Sequence, residues 1–258
     1  MSSTDDDFPP GVTASSSTHI FRRGQEPFLF PAYLYPSGSY SLRGIATRAF
    51  SLGILLASSL LTIPFTSFPQ LPFFIASLSL FHFLEFWITA SYNPSRAKAE
   101  AFLLTNNGSA YQIAHTTAVV EFLLEAYLVP GIKQRQWWTT YLGVGLMVVG
   151  QVARTLAMKH AGRNFSHYVK SRKDAGHVLV MDGVYAWLRH PSYFGYFWWA
   201  VGTQIMMANP VCVLGFAVVL WKFFSSRIKS EERYLCSFFP GEYQAYRKQT
   251  TVGIPFIP

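Results

Sequence analysis

Two stretches in the last third of the chain gather side chains that can do chemistry. The first, His177-Val-Leu-Val-Met-Asp-Gly-Val-Tyr-Ala-Trp-Leu-Arg-His-Pro-Ser-Tyr-Phe-Gly195, leads into an apolar run. The second, Trp221-Lys-Phe-Phe-Ser-Ser-Arg-Ile-Lys-Ser-Glu-Glu-Arg-Tyr234, closes the next one. Pro191 suits the first turn of a helix, where a missing N–H costs nothing. His190 then stands at a donor-rich helix start that can hold an anionic group such as a ligand carboxylate. Gly195 lets a backbone or a ligand come close, while Tyr193 and Tyr196 offer amphipathic rings at an interface. Arg227 and Glu231, four apart, share a helical face. As an exposed ion pair they would be worth only about 0.5 kcal/mol. As a carboxylate-binding Arg beside a Glu that receives a cation, they make a bifunctional site.

Each of these residues alone has a plain structural explanation: Arg-His-Pro commonly starts a helix, and an interfacial Tyr commonly anchors one. The turn at Asn209-Pro210 changes that balance. It folds the two apolar runs into a hairpin that returns to the surface it left, so Arg227 and Glu231 are expected beside His190 and Tyr193.

The elements that must position these groups are membrane helices. Half of the 258 residues are hydrophobic, 17% are aromatic and only 13% are charged, against about 25% charged in soluble domains. A chain this short cannot hide so much apolar surface in one aqueous core, so the bilayer must solvate part of it. The fold class is therefore all-α and multi-pass. Apolar stretches of near-spanning length predict six helices at about 45–63, 71–91, 110–129, 137–158, 192–208 and 210–226. Residues 1–44 read as a flexible polar arm, with order at most near Phe28 to Tyr35, 45–158 as a four-helix transmembrane region, and 159–258 as the region carrying the site. No basic start followed by an apolar run marks a secretory signal.

The net charge of +8 raises the question of nucleic acid. The cations cluster in the connectors and tail, however, which fits cytosolic loops under the positive-inside rule. Lys133 and Arg135 dissent on the opposite side. On this topology the sequons Asn107-Gly-Ser and Asn164-Phe-Ser face the cytosol and stay unmodified. Within the spans, His82 and Glu85, and Glu121 and Glu125, pair on helix faces. Hydrogen bonding between helices explains them better than a metal or proton site, because two ligand types on one helix fall short of a metal constellation. Cys212 and Cys236 have no spacing that suggests a disulfide framework or a metal.

With these residues assembled, the sequence resembles the isoprenylcysteine carboxyl methyltransferases. The resemblance runs from His82-Phe-Leu-Glu-Phe and Ala99-Glu-Ala-Phe-Leu-Leu-Thr-Asn through Ala161-Gly-Arg-Asn-Phe-Ser-His167, the Arg189-His-Pro-Ser-Tyr turn, Gly202-Thr-Gln, Asn209-Pro, Phe238-Phe and Gly253-Ile-Pro-Phe-Ile257. Arg-His-Pro-x-Tyr-x-Gly alone also occurs in related membrane methyltransferases and sterol reductases; the whole set is specific. The polar arm and the six helices look like the shorter fungal form rather than an eight-helix animal arrangement.

That resemblance implies S-adenosylmethionine as methyl donor, with no metal and no nucleic acid, and the C-terminal prenylcysteine of CaaX proteins as substrate. It also implies the endoplasmic reticulum membrane, with the catalytic side cytosolic. Cofactor contacts would fall on His177, Val178, Leu179, Val180, Tyr185, His190, Pro191, Ser192, Tyr193 and Glu231, with Lys170 where relatives have Gln. Arg227 would face the substrate carboxylate, making Arg227, Glu231 and Tyr193 the catalytic group. A carboxylate is already ionised at neutral pH, so it needs positioning and desolvation rather than a general base. Rival readings are a lipid methyltransferase, which would take an amine nucleophile and need no carboxylate-binding Arg, a nicotinamide-dependent sterol reductase, and a scaffold whose polar residues only lock helices.

Overall fold

The computed structural model describes residues 38–104 and 107–258. Most of the predicted arm, including Phe28 to Tyr35, lies outside the described residues. Eight α-helices are present among the described residues: α1 Leu42–Thr62, α2 Gln70–Tyr92, α3 Gly108–Leu128, α4 Pro130–Arg135, α5 Trp137–Ala161, α6 Pro191–Met206, α7 Pro210–Phe238 and α8 Glu242–Gln249. Short 3₁₀ turns fill the connectors, and Leu188 and Thr251 form an isolated bridge.

A helix occupies each of the six predicted segments, but their lengths differ from the expectation. Among the described residues, four helical segments are long and apolar enough to cross a membrane: Leu42–Phe65, Gln70–Tyr92, Trp137–Asn164 and Pro210–Phe238. The other two depart for visible reasons. Helix α3 carries Gln112, His115, Glu121 and Glu125 along its length, and α6 has only 16 residues. The last helix runs to Phe238 rather than stopping at 226. Its polar extension consists of good helix formers and still buries Ile228 and Glu232. At the other end, α1 begins at Leu42 because the Ser41 hydroxyl accepts from Gly44 N–H at 3.1 Å.

Helices α5 and α6 approach backbone to backbone. A Cβ at Gly195 would lie 2.5 Å from the Gly150 carbonyl oxygen, and one at Gly150 would lie 2.5 Å from that of Gly195. Small residues are what allow such contact between apolar helices. The close approach predicted at Gly195 is thus to a backbone, and it fixes α6 and the turn before it. An aromatic cluster fills the space between α2, α3, α6 and α7, with Phe81 stacked on Trp199 at 4.3 Å between centroids.

At the end of the molecule remote from His190, Lys133 is 1% exposed. Its Nζ donates to the carbonyls of Met207 and Ala208 at 2.9 and 2.7 Å and to Asn209 Oδ1 at 2.9 Å, and pairs with Glu125 at 2.5 Å. It satisfies the unpaired carbonyls at the α6 C-terminus, as basic groups there do. Its charge is matched by Glu125, so it does not count as a loop cation in the orientation argument. Lys133→Ala is expected to lower stability by about 2 kcal/mol, because it strands buried acceptors. Thermal melts of the detergent-solubilised protein check this, with the exposed Arg135→Ala as the unchanged control.

Candidate active site

A cavity of about 900 Å³ opens between α3, α5, α6, α7 and the 162–190 connector. Its mouth is polar, lined by Asn164, His167, His177, His190, Arg227 and Glu231, whereas its other arm is apolar, lined by Ile113, Ala114, Val211, Gly215, Phe216 and Val219. Apolar arm and polar mouth are parts of one continuous space.

The junction is built around Tyr193. Its hydroxyl donates to Glu231 Oε2 at 2.6 Å and accepts from Arg227 Nε at 2.8 Å. The hairpin thus returns Arg227 and Glu231 to the start of α6, as the turn at Asn209-Pro210 predicts. They meet through the Tyr193 hydroxyl, which stands between them. Arg227 also donates through Nη2 to the His167 carbonyl. Two of its five N–H groups are engaged in these bonds, and the remainder can serve an anion.

Pro191 opens α6 as expected, and the His190 ring stacks on Tyr193 with 5.4 Å between centroids. His190 Nε2 lies 3.3 Å from Glu232 Oε1, and the Arg189 guanidinium lies 2.6 Å from the same oxygen. Arg247 lies 3.3 Å from Glu232 Oε2. Glu232, absent from the sequence expectation, is thus the buried anchor that ties α7 to the Arg189-His190 turn. Two adjacent glutamates give no signal in sequence as to which faces inward.

Ser192 is held from α5, where Arg154 Nη1 donates to its hydroxyl at 2.9 Å. The same guanidinium grips Glu85 through Nε at 2.5 Å and Nη2 at 2.9 Å, and His167 Nε2 lies 3.0 Å from Glu85 Oε2. His82 bridges the Phe102 carbonyl at 2.8 Å and the Tyr111 hydroxyl at 2.9 Å. Both residues singled out on α2 therefore bond to other segments. Glu121 likewise accepts from the N–H groups of Val211 and Cys212 at 2.8 Å each. Among the described residues no group of three or more His, Cys, Asp or Glu side chains could hold a metal ion.

The connector supplies the other wall. Val178 N–H donates to Asn164 Oδ1 at 3.2 Å, and the Tyr185 carbonyl accepts from the Tyr246 hydroxyl at 2.7 Å. Gly183 has φ +59, and a Cβ there would lie 2.6 Å from the His160 ring, so only Gly lets the connector turn here. His177, Val178, Leu179, Val180 and Tyr185 all line the cavity, as do Pro191 and Ser192. Burial and then the Lys170 charge push the His177 imidazole below its ordinary value, so it is mainly neutral at pH 7. Its Nδ1 is buried without a hydrogen-bond partner, and its ring meets Phe238 and Phe239 edge-on at 5.9 and 5.5 Å. Burial, then Glu231, pushes the Tyr185 phenol up, keeping it a neutral donor. Lys170 stands apart. It pairs with Asp174 at 2.9 Å and lines a small side pocket of about 60 Å³ next to His177 and Glu231.

Fold and cavity together define a membrane-embedded helical protein with a polar binding mouth joined to an apolar arm. Residues 143–237 match the sequence profile of the isoprenylcysteine carboxyl methyltransferase (ICMT) family. The chain is 48% identical over 221 residues to the protein-S-isoprenylcysteine O-methyltransferase of Saccharomyces cerevisiae, covering 84% of this chain and 92% of the yeast protein. It is 41% identical to the human protein of that name over 214 residues, covering 83% of this chain and 75% of the human one. A solved structure, described as the eukaryotic intramembrane Ras methyltransferase isoprenylcysteine carboxyl methyltransferase without a monobody, superposes with a TM-score of 0.81. That match has 36% identity over 89% of this chain and 81% of that one. The chain belongs to the isoprenylcysteine carboxyl methyltransferase family.

Proposed function

We infer that this protein transfers the methyl group of S-adenosylmethionine to the C-terminal carboxylate of isoprenylated cysteine in CaaX proteins. The observation that carries this reading is the Tyr193 hydroxyl, which joins Arg227 to Glu231 where the polar mouth of the cavity meets its apolar arm. The arm suits an isoprenoid, Arg227 suits a carboxylate, and Glu231 suits a cationic donor.

The residues present fit S-adenosylmethionine. The unpaired His177 Nδ1 and the aromatic rings beside it offer a hydrogen bond and a flat apolar face, and Glu231 offers a negative charge. Val178, Leu179, Val180, Tyr185, Pro191 and Ser192 complete its walls, with Lys170 close to its edge through the side pocket. When bound, S-adenosylmethionine supplies an electrophilic methyl on a sulfonium. Arg227 binds the substrate carboxylate and aims one oxygen at that methyl. Tyr193 keeps Arg227 and Glu231 in register, and the surrounding apolar walls exclude water from the weak nucleophile. Because the carboxylate is already ionised, methyl transfer to it would leave S-adenosylhomocysteine as the by-product and would ask none of these residues to move a proton. His190, held by Glu232, fixes the turn that carries Tyr193.

The site belongs at a membrane boundary because the prenyl chain resides among lipid tails and the donor is soluble. Val219 and Phe223 are exposed where α7 borders the arm, which supports lateral access for the lipid. The basic connectors and tail favour a cytosolic mouth, and the substrate class favours the endoplasmic reticulum. Arg227 disfavours an amine-methylating relative. Membranes containing the protein are expected to transfer label from S-adenosylmethionine to N-acetyl-S-farnesylcysteine and not to an ethanolamine phospholipid. Label on the phospholipid alone would overturn the reading.

A further inference from the structure

We propose that residues 250–258 form a strap that anchors in the lipid boundary through Phe256 and so holds the Arg189-His190 turn of the site in place. Alternate side chains of the strap point inward: Val252 and Ile254 are buried against Phe197, Val201, Phe224 and Ile228. Two indoles clamp its carbonyls. Trp198 Nε1 of α6 donates to Gly253 O at 3.0 Å, and Trp221 Nε1 of α7 donates to Pro255 O at 2.9 Å. Arg189 receives both ends. Its N–H donates to the Thr251 carbonyl at 3.0 Å, and its guanidinium donates to the carbonyls of Thr250, at 3.0 Å, and of Pro258. The same guanidinium holds Glu232 beside His190, so the strap closes on a side chain that fixes the site.

Phe256 is the anomaly. Ile257 N–H donates to the Ile254 carbonyl at 3.2 Å, closing a turn with Pro255 second and Phe256 third. Phe256 has φ +60, a conformation that crowds a Cβ and that such turns give to Gly or Asn. Its ring is 93% exposed, so packing within the chain does not account for a Phe there. A strained residue whose side chain contacts almost nothing in the protein points to a partner outside it. Its level selects the bilayer. Trp221, bonded to the neighbouring Pro255, follows the exposed apolar Val218 and Val219 on α7 and precedes Lys222, Arg227, Lys229 and Arg233. A Trp at such a transition marks the membrane boundary, where aromatic rings are favoured. Trp187, 79% exposed, adds a second ring at the other end of the strap, where its carbonyl accepts from Thr251 N–H at 3.2 Å.

Two measurements on the full chain in nanodiscs test this. Phe256→Cys, with Cys212 and Cys236 replaced by Ala, carries a bimane probe, and a lipid spin-labelled near its headgroup serves as quencher. Quenching at position 256 is expected to exceed that at the exposed Lys248→Cys on α8 by at least about threefold, as an interfacial ring requires. Equal quenching at the two positions would refute the anchor. The second measurement is kcat/KM on N-acetyl-S-farnesylcysteine, which rests on the methyl-transfer reading; the quenching does not, so the two can fail separately. Asp tolerates positive φ better than Phe, so a role in the turn alone predicts that Phe256→Asp stays fully active. The anchor predicts that Phe256→Asp loses at least about threefold with Tm unchanged, through a displaced turn, and that Phe256→Leu stays within about twofold. Wild-type kinetics in Phe256→Asp would break the link from strap to site.

Discussion

Arg227→Ala is expected to lower kcat/KM on N-acetyl-S-farnesylcysteine by at least about a hundredfold, since a reacting oxygen displaced by about an ångström loses that much. The loss should appear in kcat as well as in KM, because the guanidinium both binds the carboxylate and aims it. Arg227→Lys is expected to recover little. The Tyr193 hydroxyl and the His167 carbonyl occupy two donors of a planar fork, and an ammonium cannot hold those positions and a carboxylate in the same geometry. Tyr193→Phe isolates the junction, as it removes the bond to Arg227 and the bond to Glu231 together while keeping the ring stacked on His190. Its effect should fall on both substrates of the reaction. Full activity in Arg227→Ala would remove Arg227 from the aiming role.

The largest effect on stability is expected at Glu85, which is 1% exposed and bound bidentately by Arg154. Arg154 lies beside the rings of Phe81 and Tyr196, 5.5 Å from each centroid. Glu85→Ala leaves this guanidinium buried and uncompensated, at a cost of about 3–5 kcal/mol. The double variant Glu85→Ala/Arg154→Ala should lose less than the two single losses combined, with a coupling of more than about 1 kcal/mol. Thermal melts of the purified protein give both quantities, and additive losses would refute the pairing. Activity should fall with stability, because Glu85 also holds His167 and Arg154 holds Ser192, and these two flank the Arg227 and Tyr193 sides of the site.

These two effects differ in how far they can be read from sequence. The Arg227, Glu231 and Tyr193 junction was accessible because a four-residue helical spacing and one Asn-Pro turn determine where the groups meet. The start of α6 at Pro191 was accessible for the same local reason. Partnerships across the fold were not. Glu85 announces itself as an acid in an apolar run, but its partner lies 69 residues away, among several basic residues with equal claims. Lys133 reads as a loop cation until the carbonyls at the end of α6 surround it. Helix α7 outlasts its apolar run because its polar end still finds Glu232 and Ile228 an interior, and hydropathy cannot show where packing continues after the membrane ends. The N-terminal arm, up to residue 37, lies outside the described residues.

The central claim is that the carboxylate oxygen, held by Arg227, takes the methyl group. It is tested most directly by following labelled S-adenosylmethionine into N-acetyl-S-farnesylcysteine and into its C-terminal amide, then treating the products with mild base. Label is expected only on the free acid, released by base as methanol from an ester, and lost in Arg227→Ala. Label on the amide, or label that resists base, would contradict it.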